Sequence, residues 1–332
     1  MPQESAVGEA EPCFRFMRDP TGEGFIISGT GLWFAGDATV NVGVPEGRPA
    51  FVELDDLTLL ARYEPTPRLT FFTEVRLEDT LEIEEGKGLE TLSGNISIER
   101  LYADLLLTPQ LTLRVGKSLT PFGLWNPIRR APLTWTVERP AVTEQTFPEH
   151  TTGISLIYRT TISGWSLDGN VYGPAQNQLD FQSEGESGLM AGARFAAGHS
   201  LGPAYAAIGL NAAGFQDETS ERWADVYGAD LDLSLYGNDL TGEFEYTHLR
   251  GDEGSQESGF YLQDVIPLVR NLYGVLRFER FHPREGNVVN GELVGLFWRP
   301  LPFLILKADY QFADRRSDDV QRGFLASIAL FF

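Results

Sequence analysis

Apolar and polar residues alternate with period two along most of this chain. Leu69, Phe71, Thr73, Val75 and Leu77 share one face of a segment whose other face carries Glu74 and Arg76. Leu101, Ala103, Leu105 and Leu107 oppose Arg100, Tyr102 and Asp104, and Leu111, Leu113 and Val115 oppose Thr112 and Arg114. Tyr227, Ala229, Leu231, Leu233 and Leu235 oppose Asp230 and Asp232; Leu240, Phe244 and Tyr246 oppose Glu243 and Glu245; Leu304, Leu306, Ala308 and Tyr310 oppose Lys307 and Asp309. Successive side chains of a strand point to opposite faces, so each segment predicts a strand with one apolar and one charged face.

The punctuation is regular too. Tight joints rich in Pro, Gly and Asn fall at 64–67, 108–110, 162–164, 198–203, 237–239, 267–271 and 299–302. These residue types supply turn dihedrals. Longer polar segments alternate with them at 36–49, 78–95, 119–150, 174–188, 216–222, 250–258, 282–290 and 314–322. The rhythm predicts an all-β fold: an antiparallel transmembrane β-barrel of about 16 strands, with short periplasmic turns and long extracellular loops. A soluble β-sandwich gives no reason for alternating short and long connections, and its strands are usually shorter. Residues 1–22 read as a polar N-terminal segment and residues 23–332 as a single barrel, with 119–150 as a long third loop.

The last strand ends flush with the chain. Phe324, Ala326, Ile328, Leu330 and Phe332 form an unbroken apolar row, while Gly323, Leu325, Ser327, Ala329 and Phe331 make a mixed one. An exposed apolar edge invites aggregation unless lipid covers the face and another strand covers the edge. This row resembles the C-terminal insertion signal of bacterial outer-membrane barrels, with Phe324, Ile328, Leu330 and Phe332 as its carriers.

Bulk properties narrow the field. The 332 residues carry 26 Lys and Arg against 47 Asp and Glu, a net charge of −21, which argues against a nucleic-acid surface. Mean hydropathy is −0.17, and no stretch approaches the length of a spanning apolar helix. Cys13 is the only cysteine, so no intrachain disulfide forms. Ala10-Glu11-Pro12 before it lacks the small apolar residues expected ahead of a lipid-modified cysteine. The polar, acidic start Met1-Pro2-Gln3-Glu4-Ser5 is no signal peptide, so an exported protein is expected here as a mature form with an added Met.

The third loop contains five prolines, Trp125, Trp135, Arg129, Arg130, Arg139, Glu138, Glu144 and Glu149. A connection this long is more often functional than decorative. The stretch Arg114-Val115-Gly116-Lys117-Ser118-Leu119-Thr120-Pro121-Phe122-Gly123-Leu124-Trp125-Asn126 resembles the approach to loop three of bacterial porins, most closely the group that includes phosphate-selective porins. That resemblance implies a loop that narrows an aqueous channel. Glu138, Glu144 and Glu149 are then expected to face wall bases Arg76, Arg100, Arg114 and Lys307, with Trp125, Trp135 and Phe147 buried against the wall. The chain departs from a phosphate-selective lining: Glu74, Asp104, Asp168, Asp230, Asp232, Glu243, Glu245, Glu279 and Asp309 on the lumen faces outnumber the bases Arg76, Arg100, Arg114, Arg277 and Lys307, which predicts weak cation selectivity.

Enzyme chemistry finds little support. His150, His199, His248 and His282 are scattered, and no nucleophile-elbow, phosphate-loop or zinc-protease motif occurs. Acidic loop segments Glu82-Ile83-Glu84-Glu85, Asp217-Glu218, Asp252-Glu253 and Asp318-Asp319 are candidates for divalent cations bridging lipopolysaccharide, or simply solvated surface; no cofactor is otherwise expected. The expected function is passive diffusion of small hydrophilic solutes and ions through an outer-membrane pore, with lipid and lipopolysaccharide around it, no nucleic-acid partner, and the homotrimer common among porins. Two alternatives stand beside it: a barrel that sheathes a partner protein, and a substrate-specific channel, for which Tyr102, Tyr172, Trp125 and Trp135 are candidate sugar contacts.

Overall fold

In the computed structural model, residues 14–19, 22–27, 29–91, 94–174, 189–216, 222–251, 255–314, 320 and 322–332 are described. Cys13 and the acidic pairs at 217–218, 252–253 and 318–319 lie outside them. The barrel strands are β1 (Leu32–Pro45), β2 (Phe51–Thr66), β3 (Leu69–Glu84), β4 (Asn95–Thr108), β5 (Leu111–Leu119), β6 (His150–Ile162), β7 (Trp165–Pro174) and β8 (Met190–Leu201). They continue as β9 (Ala204–Gln216), β10 (Trp223–Leu235), β11 (Asn238–Leu249), β12 (Gln256–Val269), β13 (Leu272–His282), β14 (Val289–Leu301), β15 (Leu304–Ala313) and β16 (Gly323–Phe331).

Each strand pairs antiparallel with the next, and β16 returns to β1 from Gly323↔Pro45 to Phe331↔Asp37, closing a 16-stranded barrel. Closure satisfies every edge, which a bilayer demands because lipid offers no hydrogen bonds. At the seam, the Gly36 and Phe332 backbones exchange two hydrogen bonds of 2.9 Å. A Cβ at Gly36 would come within 2.5 Å of the Phe332 ring, so only glycine leaves room for the terminal side chain. A hairpin of Phe14–Asp19 and Gly22–Ile27 extends β1 through pairs such as Ile26↔Trp33, and Gly88–Thr91 pairs back on the end of β3.

The seven tight joints read from the sequence are all turns between barrel strands. The long side differs in two places. The segment 36–49 is strand up to Pro45, leaving only 46–50 as a connection, and the segment 78–95 begins as strand to Glu84. In the first, Gly36, Asp37, Gly43 and Pro45 flank the Val40-Val42-Val44 row and read as a connection, and in the second Glu78, Glu82 and Glu84 give the strand end a loop-like charge.

The two faces separate as alternation demands. In β16, Phe324, Ile328, Leu330 and Phe332 are 40–48% exposed on the outside, while Leu325, Ser327, Ala329 and Phe331 are buried inside. Outward rows on the other strands are likewise apolar, with Leu101, Leu105, Val115, Leu156, Phe195, Leu210 and Phe244 all exposed. Outward aromatics gather at the turn end (Tyr63, Phe71, Trp165, Trp298) and at the loop end (Trp223, Tyr227, Phe260, Phe312). A continuous apolar belt between two aromatic rims is a lipid-facing wall. No helix among the described residues is long and apolar enough to cross a membrane; the strands do the crossing.

Candidate functional site: the loop packed against the inner wall

The connection from β5 to β6 carries two 3-10 turns (Asn126–Ile128 and Ala131–Leu133) and one helical turn, α1 (Val142–Gln145). Pro127 and Pro132 occupy the first turn of each 3-10 segment, where a missing N–H costs nothing and the fixed φ lowers the ordering cost. Its neck is tied at both ends: Thr120 N–H donates to Glu149 O (2.8 Å), and Asn126 Nδ2 donates to the carbonyls of Thr120 and Glu149 (2.8 and 2.9 Å).

From that neck the segment crosses the interior and is held chiefly by carboxylates of the inward rows. Glu243 on β11 accepts the N–H groups of Leu124 and Trp125, the latter at 2.8 Å. Glu245 accepts the Thr146 hydroxyl. Glu279 on β13 accepts Ala141 N–H at 2.9 Å, and Asp309 on β15 accepts Val137 N–H at 2.5 Å. Asp37 on β1 pairs with Arg130. Two wall cations take the carbonyl side: Lys307 donates to Ala131 O and Thr136 O (2.5 and 2.9 Å), and Arg277 to Glu138 O (2.8 Å). A loop with so little regular secondary structure cannot satisfy its own backbone, and a buried unpaired N–H or C=O is costly. Here the wall supplies the partners, and ionised partners make stronger bonds than neutral ones.

Packing completes the attachment. The Phe122 and Phe147 rings pack at a tilt 4.6 Å apart, and Trp135 meets Tyr273 and Phe297 at 5.1 and 4.7 Å. Trp125, Ala141 and Val142 bury against Tyr261 and Phe281. Two glycines make dents for the loop: a Cβ at Gly228 would lie 2.6 Å from the Phe122 ring, and one at Gly259 would lie 2.9 Å from Val142 Cβ.

The charges pair otherwise than expected from the sequence. Glu149 is bound by Arg129 and Arg139 of its own loop, the latter at 2.7 Å. Burial opposes ionisation of Glu149, but those two guanidiniums outweigh it and hold its carboxyl below the usual range. Burial, reinforced by Glu144, pushes Glu138 up to about 7. Glu144 lies 3.5 Å from Arg139. Arg129 also reaches Glu99 on β4 at 2.8 Å.

Of the wall bases named in the sequence, Lys307 meets the loop through its carbonyls, and the other three pair with acids of the wall. Arg100 pairs with Glu74, Arg114 grips Asp104 with two bonds (2.7 and 2.8 Å), and Arg76 sits among Asp56, Glu78 and Glu99. Asp230 is held by Arg194 (2.8 Å) and Asn211 (3.1 Å), and Asp232 lies on the same inward row of β10. Asp37, Glu99, Asn211 and Arg194 were not singled out from the sequence. Among the described residues no three His, Cys, Asp or Glu side chains are grouped as metal ligands.

The inner wall therefore divides into two arcs. Along β9–β16, acids bind the loop. Along β2–β8, Arg62, Arg100, Arg114, Arg159 and Arg194 stand on strands where no loop backbone bond is found among the described residues. Trp33, Phe72 and Tyr102 lie under Arg62, Arg100 and Arg114 at 5.3, 4.8 and 3.7 Å, which fixes those guanidiniums by cation–π contact. Between this arc and the loop lies a recess of about 310 Å³, lined by Arg100, Arg114, Arg159 and Arg194 beside Leu124 and Pro127.

Comparison with solved structures decides the fold. The chain superposes on OmpF of Salmonella typhi in complex with daunomycin with a TM-score of 0.62 and 10% identity, covering 93% of this chain and 99% of that one. Outer-membrane expressed OmpT of Vibrio cholerae gives 0.61 at 9% identity, over 96% and 100%. The chain has the porin fold. A further porin-fold neighbour, the anion-selective porin from Comamonas acidovorans, gives 0.58 at 13% identity over 91% and 98%. At the level of sequence, no family model matches the chain. A 105-residue stretch is 30% identical to an uncharacterized protein of Aquifex aeolicus (strain VF5), spanning 31% of this chain and 23% of that protein.

Proposed function

We propose that this barrel is a passive channel of a bacterial outer membrane, conducting small hydrophilic solutes and ions, with residues 120–149 as the constriction. Its turns then face the periplasm and its long loops the exterior. The observation that carries this reading is the loop itself: wall carboxylates, wall cations and glycine dents hold it across the interior on one arc and leave the arginine arc beside it uncovered. A barrel of this strand number is wide enough for water, so a fixed internal loop sets the effective bore. Outer-membrane proteins of the same fold, one of them described as a trimer, support the location and a homotrimeric assembly. No covalent chemistry is assigned to it.

Counting inward acids favours cations. The acids of β11, β13 and β15, however, spend their charge on loop N–H groups, and charge bordering the open passage governs selectivity more than charge sealed behind a loop. We therefore assign weak selectivity, with the arginine arc offsetting the acidic surroundings. The test is single-channel recording of the purified protein in a planar bilayer with KCl. Stable stepwise conductance supports the channel. Folded protein that gives no steps removes it in favour of a sheath around a partner.

A further inference from the structure

The recess between the arginine arc and the loop has a composition of its own. Four guanidiniums line it, from β4 (Arg100), β5 (Arg114), β6 (Arg159) and β8 (Arg194), against a single lining carboxylate, Asp168. The acids that hold three of these arginines, Glu74, Asp104 and Asp230, are not lining residues. They fix each guanidinium on one edge and leave its other N–H groups to the recess. Arg194 Nε and Asn170 Oδ1, both buried atoms on lining residues, have no hydrogen-bond partner, and an orphaned buried donor is costly unless something fills the site. The rest of the lining includes hydrocarbon: Leu124 and the rings of Pro121 and Pro127 from the loop, with Leu119 and Ile157 from β5 and β6.

Guanidinium forks match carboxylate oxygens in pairs. A bare inorganic anion has no use for the apolar lining, whereas a short methylene chain does. We propose that this recess is a binding subsite for a small dicarboxylate of about four carbons, its two carboxylates on the arginines and its methylenes over Leu124 and Ile157. The proposal rests on the channel reading above and names a solute class for it. The solute would dwell beside the loop on the turn side of the narrowest point, which favours transit of organic acids over neutral compounds of equal size.

The test uses the full-length protein in planar bilayers in KCl, with succinate, inorganic phosphate or neutral erythritol added as probe. Succinate is expected to reduce or interrupt the K⁺/Cl⁻ current in a saturable way, phosphate to do so more weakly, and erythritol not at all. Arg159→Gln removes a largely exposed guanidinium (side chain 73% exposed) and should raise the half-blocking succinate concentration about tenfold, the loss of one charged hydrogen-bonded contact. Arg114→Gln should act in the same direction, and stepwise KCl channels of whatever size, together with the β-sheet circular-dichroism spectrum of the wild type, show that either variant is folded. Equal block by phosphate and succinate, or block unchanged in both variants, overturns the dicarboxylate site while leaving the channel standing. Absence of KCl conductance in the wild type instead overturns the channel reading on which it rests.

Discussion

The two arcs of the inner wall carry the same kinds of residue and use them in opposite ways. Along β9–β16 the charged groups face a polypeptide: Glu243, Glu279 and Asp309 accept loop N–H groups, and Arg277 and Lys307 donate to loop carbonyls. Along β2–β8 most face one another and the passage, as Arg100–Glu74, Arg114–Asp104 and Arg159–Asp168, while Glu99 on β4 is taken by Arg129 of the loop. An inward charge is thus not a selectivity element by position alone. What matters is whether the loop has already claimed it.

Removing the loop should break this distinction most completely. Replacing 124–146 by a short Gly-Ser linker is expected to raise single-channel conductance several-fold and to expose the five acids it covers, shifting the reversal potential strongly towards cations. A smaller but direct effect comes from Asp309→Ala, which leaves Lys307 buried without its neighbouring charge and Val137 N–H without an acceptor. Breaking one partner of a buried charged set costs about 3–5 kcal/mol, readable as a lower Tm in detergent. Gly228→Leu should cost less, about 1–3 kcal/mol by overpacking, because its side chain displaces Phe122; larger and noisier conductance is the accompanying readout.

The smallest effect is a pH dependence. Glu138, pushed up to about 7 against the ordinary 4.5, is neutral at pH 5 and ionised at pH 9. The passage should therefore favour cations slightly more at pH 9, and Glu138→Gln should reduce the change. Between pH 4.5 and 7 the folded state binds this proton more tightly than the unfolded one, so the contribution of Glu138 to stability falls as pH rises through that window.

Much of this was legible in the sequence because strand alternation and turn chemistry are local. The barrel, its seven turns, the outward row of β16 and the inward position of Glu74, Arg100, Glu243 and Lys307 all follow from period two. Glu99 was not legible for a specific reason. A bulge on β4 shifts the register between Glu74 and Val75, pairing Glu74 with Arg100 and Val75 with Ile98. Strict alternation sends Glu99 outward with Leu101, whereas the extra residue of a bulge changes the side a chain presents, and Glu99 is buried beside Arg129 and His150. Asp37 was hidden because Gly36 and Gly43 make its strand resemble a loop. The pairing of wall acids with loop N–H groups has no one-dimensional signature, since Glu243 and Trp125 are 118 residues apart and meet only when the barrel closes.

The most direct test of the two-arc account is the reversal potential in a KCl gradient, measured side by side for the wild type and for the variant lacking 124–146. The account predicts a value near zero for the wild type and a strongly cation-favouring value once the loop is gone. Equal, strongly cation-favouring values in both would mean that the acids under the loop already govern the passage, and would contradict it.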